Sequence, residues 1–108
     1  MMIELRGYID EYGNKRFANW LDAAAAAKVT IALARMAQGN FSKVKGVGSG
    51  VFEYKIDFGP GYRIYFGKDG DRLVILIGGG GKKRQQQDIV AAQVCWAAYK
   101  RRKRQEIQ

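Results

Sequence analysis

Two turn signals set within alternating residues constrain this chain more than any other feature of it. Over residues 51–58 the apolar Phe52, Tyr54, Ile56 and Phe58 alternate with Glu53, Lys55 and Asp57, the period of a strand with one buried face. Gly59-Pro60-Gly61 follows as a reversal, since proline fixes its own φ and the flanking glycines supply backbone freedom. With those three residues as the loop, Phe58 faces Tyr62, Asp57 faces Arg63, Ile56 faces Ile64 and Lys55 faces Tyr65. Both apolar sets then share one face, whereas a one-residue slip would send every side chain to the other. A second reversal, Lys68-Asp69-Gly70-Asp71, carries an Asp-Gly hairpin signal. Centred on Asp69-Gly70, it pairs Phe66 with Leu73, Ile64 with Ile75 and Tyr62 with Ile77. Residues 73–77 are apolar throughout, the mark of a central strand covered at least partly on both faces. The expectation is an antiparallel sheet whose face opposite the main core carries Lys55, Asp57, Arg63 and Tyr65, with Val74 and Leu76 beside them.

The flanks read as cover for that sheet. Residues 2–6 alternate weakly, as an edge strand does. From Tyr8 to Leu21 the residues Ile9, Tyr12, Phe17, Trp20 and Leu21 recur at helical spacing, with Gly13 delaying the regular helix until about Asn14. Asp22 suits the N-cap of a second helix, whose stripe is Ala25, Val29, Ala32, Leu33 and Met36 and whose stop is Gly39-Asn40. This helix hairpin would cover one face of the sheet. Residues 41–50 form a glycine-rich loop with a short extended piece at Val44-Lys45. A last helix begins near Gln87 on the stripe Ile89, Ala92, Trp96 and Tyr99. The fold class expected is α+β, a single domain over residues 1–108.

Charge narrows the function. The chain has 108 residues, a net charge of +9 and no histidine. Six of the nine net charges arise after residue 81, in Lys82, Lys83, Arg84, Lys100, Arg101, Arg102, Lys103 and Arg104 against Asp88 and Glu106. A polyanionic partner fits this bias, nucleic acid before an acidic protein surface. The cluster at residues 100–104 also suits the helix dipole, which needs no function to explain it. Without histidine, and with the lone Cys95 inside an expected helix, there is no zinc site and no Ser/His/Asp triad, and no metal or cofactor is expected. One cysteine, no basic-then-apolar leader and no membrane-length apolar run point to a cytoplasmic protein.

What remains is a cationic set: Lys55 and Arg63 on one sheet face, and Lys82, Lys83 and Arg84 after the glycine run at residues 78–81. That run reads equally as a flexible strand exit or as a close approach to a phosphate backbone. Arg63 reads as a cross-strand partner of Asp57, or as a bidentate phosphate ligand with lysines adding point charge. Metal-free RNA cleavage needs attack by a 2′-hydroxyl, removal of its proton, stabilisation of the anionic transition state and protonation of the leaving oxygen.

The strings VFEYKIDFGPGYRIYF, DGDRLVILIGGG and GKKRQQQDI, in this order of elements, resemble the RelE/ParE toxin superfamily in its HigB-like, phage-derived addiction-module branch. The resemblance implies a RelE-like fold and a type II toxin that cuts mRNA on the ribosome as a metal-independent endonuclease, an mRNA interferase. It implies as partners a protein antitoxin of helix-turn-helix type, the ribosome and mRNA. By the same resemblance Arg63 contacts the scissile phosphate, Lys55 is a base or phosphate ligand, and Lys82 or Lys83 neutralises developing charge, so that Arg63, Lys55 and Lys83 form the candidate catalytic set. Candidate nucleic-acid contacts are Lys45, Lys82, Arg84, Gln87, Lys100 and Arg101. Two departures stand out: Asp57 occupies a position often basic in the family, and Asp88 lies where a catalytic tyrosine or histidine is expected. The alternatives are a ParE-like gyrase inhibitor and a nucleic-acid-binding remnant whose catalytic set has decayed.

Overall fold

The computed structural model describes residues 3–9, 23–59, 61–71 and 73–107, and the expected meander forms the middle of a five-stranded mixed sheet. The elements are β1 (Glu4–Gly7), α1 (Ala23–Ala37), β2 (Val44–Gly46), β3 (Val51–Ile56), β4 (Tyr62–Asp69), β5 (Leu73–Gly81), a 3-10 turn (Lys82–Arg84) and α2 (Gln85–Ile107). The strand order is β1-β5-β4-β3-β2, with β1 parallel to β5 and every other pair antiparallel. The short piece at Val44-Lys45 is thus an edge strand, and the fold class is α+β. The Tyr12, Phe17, Trp20 and Leu21 helix and the Asp22 cap lie outside the described residues, as does the side chain of Ala25. Tyr8, placed with that helix by spacing, instead prolongs β1, its amide donating to the Leu76 carbonyl.

Each sheet face has its own helix. On one face Val29, Ala32 and Met36 of α1 pack on Tyr54, Ile56, Ile64, Phe66, Val74 and Leu76. On the other, Ala92, Cys95 and Trp96 of α2 pack on Val51, Tyr65, Ile75 and Ile77. Helix α1 ends where its stop signal stands: Gly39 takes φ +85°, its amide donates to Met36, and the amide of Asn40 donates to Arg35. That pair of bonds is a Schellman motif, which glycine favours because it needs a left-handed residue.

Both hairpin registers differ from expectation. The first loop runs over residues 57–61, so Lys55 faces Arg63 and Ile56 faces Tyr62. Phe58 belongs to the turn, where the amide of Gly61 donates to its carbonyl, and its ring stacks on Tyr62, centroids 6.1 Å apart, beside the ammonium of Lys28. This slip of two residues preserves the faces. The second loop is residues 70–72, with Asp69 opposite Leu73 and Phe66 opposite Leu76. The odd shift exchanges the faces of β5, so Ile75 and Ile77, not Val74 and Leu76, share a side with Arg63. Tyr65 faces Gly78, which leaves Ile77 as the extra residue of a β-bulge.

Asp69 explains the second slip. Its carboxylate accepts hydrogen bonds from Tyr99 Oη at 2.5 Å and from Lys103 Nζ, both on α2, which holds Asp69 in the strand rather than in the turn. The bonds from Lys103 and then Tyr99 hold the Asp69 carboxyl below its usual range. Burial, then the bond to Asp69, pushes the Tyr99 phenol up to about 12. A folded-state value below the unfolded one stabilises at pH above the unfolded carboxyl range, and that stability is lost as pH falls through the folded value. Asp69→Asn is therefore expected to melt below the parent at neutral pH, the gap in Tm closing on acidification. A gap independent of pH would show that the charge of Asp69 contributes nothing.

Candidate nucleic-acid interface

The register that places Lys55 opposite Arg63 brings three cations to one cleft. Its volume is about 330 Å3, and Lys55 of β3, Arg63 of β4, Lys82 of the 3-10 turn, Asp57, Phe58 and Gly61 line it. Gly61, at φ +88°, lies against the guanidinium: a methyl placed on it would stand 3.7 Å from Arg63 Nη1. A phosphodiester entering here would meet a planar guanidinium on the floor and two ammonium groups at the rim, a combination suited to an anionic, crowded phosphorus centre.

Arg63 is buried at the base of the cleft, at 6% exposure. Its counter-ion is not Asp57 but Glu53, itself 2% exposed, with Nε 3.6 Å from Oε1. That distance allows Coulomb attraction but is too long for a hydrogen bond, and neither Nε nor Nη1 has a hydrogen-bond partner among the described residues. Glu53 also accepts from Gln85 Nε2 at 3.0 Å and lies 3.8 Å from the Lys45 ammonium, its cross-strand neighbour. Tyr65 sits opposite Glu53 on β4. Burial, then the Glu53 charge, holds its phenol well above the ordinary range. Asp57 pairs instead with Lys55, at 3.6 Å.

Residues 78–81 are not a flexible exit but strand. They pair with residues 62–65 as the end of β5. Gly80, opposite Arg63, supports the carboxylate of Asp88: a methyl there would collide with it, so the missing side chain lets the first turn of α2 settle on the sheet.

The remaining candidates are dispersed. Lys83 and Arg84 are exposed on the 3-10 turn and do not line the cleft, which takes Lys82 instead. Lys45 is exposed at the sheet edge, 3.8 Å from Glu53, and Gln87 is exposed on the first turn of α2. Lys100 lies 5.8 Å from the Trp96 ring centroid, and Lys100 and Arg101 belong to the half of α2 that meets Asp69. Asp69 is six residues along β4 from Arg63, about 20 Å at the rise of a strand. These two cations therefore extend the basic surface rather than build the cleft.

Sequence reasoning missed Glu53 and Gln85. The available signal was the amphipathic last helix, whose stripe requires a sheet face and would have buried the Glu53 side of β3.

Over 65 residues the chain is 40% identical to an uncharacterized protein of Haemophilus influenzae, a match covering 56% of this chain and 66% of the relative, just under two thirds of its length. No protein-family profile and no solved structure matches the chain. Among the described residues, no helix is long and apolar enough to cross a membrane.

Proposed function

We propose that this chain is a type II toxin of the RelE/ParE class, in its HigB-like branch, that cleaves mRNA on the ribosome without metal. The observation that carries the reading is the convergence of Arg63, Lys55 and Lys82 on one cleft, out of cations scattered over 108 residues. Arg63 holds the scissile phosphate, and the two lysines neutralise charge as it develops. The exposed cations of the 3-10 turn and of α2 bind neighbouring phosphates. An acidic, partly helical antitoxin is the partner in the cytoplasm, matched to the net charge of +9.

Induced expression should arrest growth and produce mRNA fragments ending in 2′,3′-cyclic phosphate. Because Lys55 and Lys82 are exposed, Lys55→Ala/Lys82→Ala should fold as the parent does yet lose cleavage. Its single-stranded RNA affinity should fall less steeply with salt, by about 0.7 in log–log slope per lysine. Full toxicity in that folded variant would remove the cleft from the function. The pairing of Arg63 with buried Glu53 favours a second reading, a ParE-like gyrase inhibitor that uses this face for binding alone. A DNA-damage response without mRNA fragments would select it.

A further inference from the structure

The nuclease reading leaves the acceptor of the 2′-hydroxyl proton unassigned, and the cleft holds a group able to take that part. An ammonium has no lone pair to offer, so the lysines in their charged form bind phosphate and do not remove a proton. Asp57 is the one carboxylate among the residues lining the cleft. It follows the last residue of β3, outside the strand ladder, with its side chain 70% exposed. Its contact with Lys55, at 3.6 Å, is too long for a hydrogen bond and leaves its oxygens open to another donor.

The neighbouring carboxylates are engaged elsewhere. Glu53 is buried and holds Gln85, and Asp88 is packed on Gly80. Among the described residues that line the cleft, the other charged groups are all cations. Lys55 of β3 lies 3.6 Å from Asp57, and Arg63 of β4 and Lys82 of the 3-10 turn line the same cleft. Asp57 also lines a second groove between α1 and β3, where Lys28 and Arg35 of α1 and Lys43 stand.

Resting on the nuclease reading, we propose that Asp57 is the general base of the cleavage. The 2′-hydroxyl proton passes to an oxygen of Asp57 as the 2′-oxygen bonds to phosphorus. The bond from phosphorus to the 5′-oxygen breaks, and that oxygen takes a proton from the Lys82 ammonium. The products are a 2′,3′-cyclic phosphate and a 5′-hydroxyl, after which solvent restores both side chains.

The test is single-turnover cleavage of mRNA on ribosomes across a range of pH. Asp57→Asn should melt as the parent does, bind RNA at least as tightly because a negative charge is gone, and cleave about 10²–10⁴-fold more slowly. The fall in rate toward acid pH should disappear with the carboxylate, and Asp57→Glu should recover part of the rate. Parent-like cleavage by Asp57→Asn with an unchanged pH profile overturns the assignment and leaves the nuclease reading intact. Failure of the parent itself to cleave ribosome-bound mRNA overturns both.

Discussion

Arg63→Ala will lower stability by about 3–5 kcal/mol, because it leaves Glu53 charged and buried without its guanidinium. The value should fall toward the lower end of that range, since Gln85 still donates to Glu53 and Lys45 remains 3.8 Å away. Urea unfolding of Arg63→Ala, Glu53→Gln and the double variant measures the coupling. Removing the carboxylate charge should return much of what the arginine substitution lost, so the double variant should be more stable than the sum of the single losses implies. If Arg63→Ala unfolds within about 1 kcal/mol of the parent, water reaches Glu53 after all and the pair is not a structural element. A loss of toxicity in Arg63→Ala is therefore informative only beside a measurement of its fold, which is why the exposed lysines provide the cleaner test of the cleft.

Trp96→Ala should cost a comparable amount, about 3–5 kcal/mol, through the loss of a large buried ring. Trp96 joins α2 to the sheet: its ring lies on the backbone of Gly67 and stacks on Tyr99, centroids 5.1 Å apart and planes 8° from parallel. Gly67 is required by that contact, since a methyl there would come within 2.5 Å of the ring. Gly67→Ala alone should cost about 1–3 kcal/mol by displacing the indole. In the Trp96→Ala background the same methyl meets open space, so the two losses should not add. Additive losses in thermal or urea unfolding would mean that Gly67 matters for its own backbone rather than for the tryptophan.

The alternation of residues 51–58 and the two glycine-bearing turns were enough to recognise three antiparallel strands, and the Val29, Ala32, Met36 stripe was enough to place α1 on them. The loop lengths were not legible. In the first hairpin the error was even, so the faces survived while every partner moved by two residues, that of Arg63 from Asp57 to Lys55. In the second it was odd, and nothing in residues 73–77 could reveal it: a strand apolar at every position reads the same with either face inward. The anchor that set this register, Asp69 held by Tyr99 and Lys103, joins residues thirty or more positions apart. The cleft was legible in part. Arg63 and Lys55 stood out as cations on one sheet face and Lys82 as one of three after the glycine run, whereas Glu53 read as one more solvent-facing residue of an alternating strand.

By itself, then, the sequence determined the three central strands, the helices α1 and α2 and the concentration of positive charge, because strand period, helix stripe and turn chemistry act between residues near one another in the chain. Only the tertiary structure decided which carboxylate neutralises Arg63, which of the basic residues after β5 reaches the cleft and which sheet face α2 buries. Those outcomes depend on where a helix begun at Gln85 comes to rest on a sheet begun at Glu4, and on two loop lengths fixed by contacts between side chains rather than by the loop residues themselves.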